Sequence, residues 1–229
     1  MIDIHAHVLP FVDDGSKSIE DSIAMIEQSA TLGITDIILT PHYRGNYVAT
    51  PQQLNKQFEV FKKAVQEKGI SVNLYLGQEI YVDSEMLSDL ENNKVITLNN
   101  SKYLLIEPEY NACDITEYVY DLVIKGYVPI VAHVERFKYI SIEEVCEIKR
   151  LGGLIQVNAS AFFGKEFNTD KRIVKKLLKQ GLVDFVASDV HYNRKNYMQM
   201  AYEYVSKKFG EKTAEKIFKT NAEVILRAN

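Results

Sequence analysis

The sequence predicts an α/β protein built on a parallel sheet of about seven strands, and two observations carry this prediction. Short apolar runs rich in Val, Ile and Leu alternate with longer segments of helical period, which is typical of a parallel sheet buried on both faces. Polar side chains of ligand type follow the ends of these runs along the whole chain. A closed barrel gathers the carboxyl ends of all its strands around one mouth, whereas an open sheet concentrates its ligands at one switch point, so the second observation favours a barrel. At 229 residues the chain is within the range of one α/β barrel, and we expect residues 1–229 to form a single domain.

Seven apolar runs have the length and composition of buried strands. Each contains four or five residues, and β-branched residues are frequent in them. The predicted strands are Met1–Ile4, Asp36–Thr40, Val72–Leu76, Tyr103–Ile106, Val128–Ala132, Leu154–Val157 and Asp184–Ser188.

Four helix starts can be placed between these strands, because a side chain with a capping oxygen stands three residues ahead of an acid or amide. The pairs are Ser18 with Asp21, Thr50 with Gln53, Asp114 with Glu117, and Ser141 with Glu144. Pro51 also stands where a first helical residue is expected.

Glycines mark five helix ends, since Gly adopts the left-handed conformation after a helix without a Cβ clash. They are Gly33, Gly69, Gly126, Gly152 and Gly181. The segment from about Asn196 to Arg227 is predicted to be helical, with breaks near Gly210 and near Thr220–Asn221.

Composition and motifs exclude several classes of function. The net charge is −4 and no basic run occurs, which argues against binding driven by a nucleic-acid backbone. The first residues have neither the basic nor the apolar region of a signal peptide, and no apolar run is long enough to cross a bilayer, so we expect a cytoplasmic protein. A cysteine-dependent phosphatase requires Arg six residues after its nucleophile, but Val119 and Gly152 stand six residues after Cys113 and Cys146.

Histidines and acids cluster at the predicted strand ends. All five histidines lie at such an end or within three residues after one, and four acids have comparable positions. Because residues two apart on a strand project to the same side, His5 with His7 and Asp189 with His191 form chelating pairs. Imidazole and carboxylate ligands suit Zn, Mn or Fe, and nine ligands exceed the need of one tetrahedral ion, so two or three divalent ions are predicted. The predicted ligands are His5, His7, Asp14, His42, Glu79, Glu107, His133, Asp189 and His191.

Seven segments make the chain resemble a known family over nearly its whole length. This family is the polymerase and histidinol phosphatase (PHP) superfamily, and within it the bacterial manganese-dependent tyrosine-protein phosphatases of capsule and exopolysaccharide operons. The segment from His133 to Arg136 and the segment from Ala187 to His191 resemble this subgroup in particular. The matching stretches are Met1–His7, Val12–Gly15, Thr40–His42, Gly77–Tyr81, Leu105–Glu107, Ile130–Arg136 and Ala187–His191.

The resemblance implies a distorted (β/α)7 barrel, similar to a TIM barrel, with a trinuclear site that prefers Mn²⁺. Glu79 would bridge two ions, Arg136 would contact the substrate phosphate, and Arg194 would be a second such contact. The implied partner is a phosphotyrosyl protein, namely an autophosphorylated bacterial tyrosine kinase of polysaccharide export. The implied ligand sets are His5, His7, Glu79 and Asp189 for one ion, Glu79, Glu107 and His133 for a second, and Asp14, His42 and His191 for a third.

Phosphate ester hydrolysis gives such a site a physical rationale. The anionic oxygens of a phosphate monoester repel hydroxide, so a catalyst must neutralise charge and supply a nucleophile. A water that bridges two dications is hydroxide near neutral pH, while the ions and Arg136 would stabilise the phosphoryl oxygens. Tyrosine leaves as a phenolate whose pKa is about 10, so modest help from a protonated His42 or His191 would suffice, and the sequence leaves open which of them acts.

Three alternatives remain open at this stage. A small-molecule phosphatase such as histidinol-phosphate phosphatase would use the same metals with a pocket for the substrate amine. Amidohydrolases also begin with a His-x-His pair on a barrel strand, but they usually place a bridging Lys where this chain offers Glu. A non-catalytic domain would have no physical reason to retain nine mutually dependent ligands, and none is missing here. The sequence does not determine the oligomeric state.

Overall fold

In the computed structural model, which describes residues 1–111, 114–165, 169 and 171–227, parallel strands alternate with helices. Every pair of neighbouring strands in these residues is parallel, as the sequence predicted. Cys113 lies outside the described residues, and Cys146 is a free thiol in a helix. The strands are β1 (Ile2–Ala6), β2 (Asp36–Leu39), β3 (His42–Tyr43), β4 (Asn73–Leu76), β5 (Glu79–Tyr81), β6 (Tyr103–Glu107), β7 (Val128–Val131), β8 (Leu154–Asn158) and β9 (Phe185–Ala187).

The strands form two sheets that continue into one another and curl into a half-barrel. One sheet has the order β1-β2-β4 and the other the order β3-β5-β6-β7-β8-β9. At one junction Ala6 and Val190 form a parallel bridge, where the amide of His7 donates to the carbonyl of Val190 at 3.0 Å. At the other junction the amide of Glu79 donates to the carbonyl of Pro41 at 3.1 Å, which links the segment after β2 to the start of β5.

The seven predicted strands are confirmed in position, whereas β3 and β5 were missed. Each of these two strands contains no more than three residues, and each begins on a polar side chain, so neither has the apolar run that identifies a strand. The prediction for the first strand was also too short, because β1 extends to Ala6 and contains His5.

The described helices pack around the strands, and four of them, α1, α2, α4 and α5, begin directly after the predicted capping residues. Thr50 and Ser141 each form a complete capping box, and Ser18 and Asp114 each accept hydrogen bonds from the first turn of their helices. The short α3 was not predicted. The helices are α1 (Ile19–Thr31), α2 (Pro51–Glu67), α3 (Met86–Glu91), α4 (Ile115–Ile124), α5 (Ile142–Leu151), α6 (Lys171–Lys179), α7 (Met198–Phe209), α8 (Glu211–Glu215) and α9 (Asn221–Leu226).

One of the two predicted breaks in the C-terminal helical segment is wrong. The break at Gly210 is confirmed, since this residue has a φ of 92° between α7 and α8. Thr220 and Asn221 instead keep right-handed helical backbone angles, and the irregularity is a π-helical turn from Lys216 to Thr220. A π turn preserves helical dihedral angles, so a capping-type sequence at its end does not stop the helix. All five predicted helix-end glycines have positive φ.

Two apolar clusters hold the fold together. The larger one contains residues of the strands and of the helices around them, and the smaller one contains strand residues such as Ile4, Ile38 and Leu105 with Ile225 of α9. Ile4 of the smaller cluster directly precedes His5 on β1, so this cluster packs beside the strand segment that carries His5. No helix in the described parts of the chain has both the length and the apolar composition of a membrane span.

Candidate metal centre

All nine side chains that the sequence predicted as ligands converge at the carboxyl ends of the strands. They form four overlapping groups, and within each group the ligand-type atoms lie within 4.8 Å of one another. Eight of the nine residues are buried, whereas Asp14 is exposed. The groups are His7, Asp14, His42 and His191; His5, His7 and Asp189; His5, Glu79 and His133; and His42, Glu79 and Glu107.

The elements that carry these residues explain the convergence. His42 and Glu79 each lie three residues after the carboxyl end of a strand, β2 and β4 respectively, where they begin β3 and β5 and are paired in register, while Glu107 is the last residue of β6. Parallel strands present their carboxyl ends at one edge, so residues far apart in sequence become neighbours there. His133 and Asp189 each lie two residues after the end of a strand, β7 and β9 respectively, and have positive φ values of 29° and 49°. Such backbone angles are costly for residues other than Gly, by about 1–3 kcal/mol each, and they concentrate at functional sites.

His5 and His7 face each other through their Nε2 atoms, which lie 3.1 Å apart. The Oε1 atom of Gln156 accepts from the backbone N–H of His133 and also lies 3.2 Å from Nδ1 of His5, so this Nδ1 is the protonated nitrogen when His5 is neutral. Nδ1 of His7 likewise donates to Oδ2 of Asp13 at 2.8 Å. In their neutral forms the two imidazoles therefore direct lone pairs at one another, an arrangement that a cation between them would stabilise.

Carboxylate oxygens complete the environment of these two rings. Oδ1 of Asp189 lies 3.5 Å from Nε2 of His5 and 3.3 Å from Nε2 of His7. Asp189 is held from behind by the amide of Asn158 and the guanidinium of Arg136, at 2.8 and 2.6 Å from its Oδ2 atom. One oxygen is thus directed at the histidines while the other is fixed by the protein.

Glu79 lies at the centre of the cluster and contacts four histidines. Its Oε1 atom lies 2.7 Å from Nε2 of His133 and 3.4 Å from Nε2 of His5, and its Oε2 atom lies 3.3 Å from Nε2 of His7. Oε2 also lies 2.7 Å from Nδ1 of His42, yet neither of these two buried atoms has a hydrogen-bond partner in the structure. Unpartnered buried polar atoms are rare, and two that face each other fit a shared cation. Glu79 belongs to two of the four groups and contacts histidines of the other two, which fits the bridging role that the resemblance implied.

A third group lies closest to solvent. Oδ1 of Asp14 is 3.4 Å from Nε2 of His42 and 3.5 Å from Nε2 of His191, and the Asp14 side chain is 43% exposed. Nδ1 of His191 donates to the carbonyl of Asp189 at 3.1 Å, which leaves its Nε2 directed at Asp14. His7 belongs to this group as well as to the first one, so the groups share members more widely than the implied ligand sets.

The surroundings of the cluster favour the charged forms of two of its acids and of His7. Burial disfavours the charged form of Glu79, but His5 and His42 hold the pKa of this carboxyl well below its ordinary value. For Asp189, burial acts in the same sense and is outweighed by Arg136 and His5, which lower its pKa strongly. Burial opposes protonation of His7, whereas Asp13 raises the pKa of His7 well above its ordinary value. The site thus favours positive charge at its centre.

A cavity of about 550 Å³ connects the cluster with solvent, and arginines contribute to its wall. Arg136 lines it while bonding to Asp189, and Arg194 lines it with Nη1 placed 3.4 Å from Nδ1 of His191. Both predicted phosphate contacts are therefore in reach of a ligand in this cavity. Arg44 was missed by the sequence reasoning, although it also lines the cavity and pairs with Glu107 at 2.8 Å.

Three further supporting residues were missed. Asp13 orients His7 and accepts a hydrogen bond from the amide of His42 at 3.1 Å, but it was not among the predicted site residues. Gln156 and Asn158 lie two residues apart on β8 and are joined by a hydrogen bond of 2.8 Å between their side chains. The sequence signal for these two residues is a pair of amide side chains on an otherwise apolar strand. Both amides are fully buried in the structure, and buried amides must find hydrogen-bond partners.

Comparisons with known proteins agree with this geometry. Residues 1–227 match the family model described as capsular polysaccharide synthesis, CpsB/CapC. The chain is 34% identical over 239 residues to the tyrosine-protein phosphatase CpsB of Streptococcus agalactiae, covering 99% of this chain and 98% of that protein. It is 33% identical over 241 residues to the tyrosine-protein phosphatase YwqE of Bacillus subtilis, covering 99% and 92%. A crystal structure from a study of YwqE of Bacillus subtilis and CpsB of Streptococcus pneumoniae, described as unique metal-dependent tyrosine phosphatases, superposes with a TM-score of 0.92 at 31% identity, covering 100% of this chain and 95% of the other.

Proposed function

This chain belongs to the CpsB/CapC capsular polysaccharide synthesis family, and from that premise we infer that it is a metal-dependent protein-tyrosine phosphatase. The observation that carries the inference is the pair of Nε2 atoms of His5 and His7, which face each other among carboxylate oxygens in a cavity lined by arginines. The resemblance to metal-dependent tyrosine phosphatases of PHP type is confirmed.

Two or three divalent ions, with Mn²⁺ as the preferred metal, complete the proposed active site. The nine converging residues would hold them, and mixed imidazole and carboxylate ligands suit Mn, Fe and Zn. Ions held there would lower the pKa of a coordinated water toward neutrality and would offset the charge of the phosphoryl oxygens. Asp13 and Gln156 keep His7 and His5 in the tautomer whose Nε2 atom can bind metal.

The residues of the cavity wall bind and orient the phosphate in this proposal. Arg136 and Arg194 place guanidinium groups beside the cluster, and planar guanidinium suits phosphate oxygens. Arg44 offers a third such group on the wall next to Glu107. His42 and His191 also line the cavity, and one of them would protonate the leaving phenolate.

The fold is proposed to be a distorted (β/α)7 barrel of one domain over residues 1–229. The continuity of β2 with β3 and of β4 with β5 supports a count of seven, because each pair is interrupted by only two residues. The bridge between Ala6 and Val190 supports closure between β1 and β9.

The proposed substrate is a phosphotyrosyl protein, and specifically an autophosphorylated bacterial tyrosine kinase of polysaccharide biosynthesis. The name of the family and of the relatives supports this assignment. A cytoplasmic location is part of the proposal, because a kinase that uses ATP is phosphorylated there.

The decisive experiment compares kcat/KM on a phosphotyrosyl peptide and on histidinol phosphate, with elemental analysis of the purified protein before and after chelation. We expect bound divalent metal, a preference for the peptide, loss of activity after chelation and recovery with Mn²⁺. The exposed side chains of Lys165 and Lys195 on the cavity wall disfavour a substrate that carries an amine. Preference for histidinol phosphate would refute the substrate, and full activity of a metal-free sample would refute the mechanism.

A further inference from the structure

Positive charge is distributed unevenly around the cavity that leads to the metal centre. Arg44 and Arg136 are each bonded to an acid of the cluster, Glu107 and Asp189 respectively. Three other cations line the same cavity, namely Lys165, Arg194 and Lys195. None of the three pairs with an acidic side chain among residues 1–111, 114–165, 169 and 171–227. These three, defined here as the cationic wall, are exposed to solvent.

The cationic wall belongs to one side of the cavity. Lys165 follows a 3-10 turn, Ala159–Phe163, after β8, and its amide donates to the carbonyl of Ser160 at 3.2 Å. Arg194 and Lys195 lie in the loop after β9, the strand next to β8 in the sheet. The ammonium of Lys195 lies 5.2 Å from the ring centroid of Tyr197, which also lines the cavity, so an aromatic contact holds this side chain at the wall.

The part of the cavity wall that follows β3 and β6 has a different character. It is formed by Arg44 after β3 and by Tyr110 after β6, and the hydroxyl of Tyr110 donates to Glu107 at 3.2 Å. The cation on that side is thus neutralised by Glu107, and the aromatic ring of Tyr110 is 61% exposed. Among the described residues of the cavity wall, a peptide bound across the mouth would meet cations without an acidic partner on the β8 and β9 side.

We propose that Lys165 and Lys195 select phosphotyrosyl segments that carry acidic side chains next to the phosphotyrosine. The inference rests on the proposed phosphatase function and specifies its substrate class. The phosphate reaches the arginines at the cluster, while the neighbouring acids of the peptide pair with the two lysines at the mouth. Lysine suits this role because its long flexible side chain can follow carboxylates in different positions. Such pairs act on association and KM more than on the chemical step, and salt weakens them.

The test uses three phosphotyrosyl peptides of equal length with Glu, Ala or Lys on both sides of the phosphotyrosine. For the metal-loaded wild type at low ionic strength, we expect kcat/KM to be about fivefold higher for the Glu peptide than for the Lys peptide, the size typical of two exposed ion pairs. The difference should arise mainly in KM. It should also shrink as the salt concentration rises.

Charge reversal makes the test specific. In the double variant Lys165→Glu with Lys195→Glu, the preference should invert in favour of the Lys peptide, and in the double variant Lys165→Ala with Lys195→Ala it should vanish. The matched control is Lys56→Glu with Lys102→Glu, which changes the net charge equally at exposed positions that do not line the cavity and should retain the wild-type preference. Circular dichroism verifies that each variant is folded.

The outcomes separate the two levels of the argument. Hydrolysis of all three peptides with equal kcat/KM, or an inversion caused equally by the control variant, overturns the selectivity while leaving the phosphatase function intact. Failure of the metal-loaded wild type to hydrolyse any phosphotyrosyl peptide overturns the proposed function, and the selectivity falls with it.

Discussion

Replacing Gln156 by Leu should weaken metal binding although Gln156 is not itself a ligand. The side chain is fully buried, and its Oε1 atom serves both Nδ1 of His5 at 3.2 Å and the amide of His133 at 2.9 Å. Its Nε2 atom donates to Asn158, which in turn bonds Asp189. One amide therefore orients residues from β1, β7 and β9. It acts as a positioning residue for three of the proposed ligands.

The magnitude follows from what the substitution leaves unpaired. Leu has a similar volume but no polar atom, so the ring N–H of His5, the amide of His133 and the carbonyl oxygen of the Asn158 side chain each lose a buried partner. An unsatisfied buried group costs about 1–3 kcal/mol, which sums to about 3–6 kcal/mol if the three losses are partly relieved by rearrangement. Loss of a supporting partner behind a metal ligand reduces metal affinity about 10–100-fold.

The assay is competition with a chromophoric chelator, which gives the Mn²⁺ affinity of the protein without reference to turnover. Urea unfolding in the presence of chelator measures the loss of stability separately. Gln156→Glu is the informative second variant, because it keeps an oxygen for His5 and His133 and should lose less affinity than Gln156→Leu. Gln66→Leu, at an exposed position of α2, is the control for the chemical change itself. Wild-type Mn²⁺ affinity in folded Gln156→Leu would refute the reasoning.

Three further predictions follow from other parts of the molecule. His7→Ala should reduce kcat/KM on a phosphotyrosyl peptide by at least about 100-fold with an unchanged circular dichroism spectrum, because His7 belongs to two of the four groups; near-normal turnover would contradict its role. Gly15→Ala should abolish Mn²⁺ binding measured by elemental analysis, since a Cβ there would lie 2.1 Å from the carbonyl oxygen of His7 and the loop must move; retention of the full metal complement would contradict this. Hydrogen bonds from Lys94 and Tyr43 hold the pKa of Asp89 below its ordinary value, so this carboxylate stabilises the fold above the unfolded-state pKa of about 4 and the contribution is lost as the pH falls through the folded-state pKa. The difference in unfolding free energy between wild type and Asp89→Asn, measured in urea, should therefore be present at neutral pH and vanish in acid, and a difference that does not change with pH would contradict the assignment.

The site could be predicted from the sequence to an unusual extent because its residues obey a positional rule. His133 follows an apolar run directly, and Glu107 ends one, so each could be assigned to the same edge of a parallel sheet without knowledge of the fold. The pairing of His5 with His7 followed from strand alternation, and their facing Nε2 atoms agree with it. Which acid stands between which histidines did not follow from that rule.

The supporting residues escaped prediction for a physical reason. Asp13 stands in an ordinary turn sequence, and its value to His7 depends on how the loop after β1 folds back. Arg44 contacts Glu107 across 63 positions of sequence, and Gln156 contacts His5 across 151. No local pattern encodes such contacts. They arise from the curvature of the sheet.

The sequence alone determined the alternation of strands and helices, the helix caps and the edge at which the ligands gather, because each of these depends on neighbours within a few residues. Tertiary structure decided the rest. It decided that β3 and β5 are strands, since their pairing and not their composition defines them. It also decided that Glu79 lies among four histidines and that Gln156 and Asp13 set the orientation of two of them. Those relations depend on the distance between atoms brought together by the closing sheet, and that distance is a property of the whole fold.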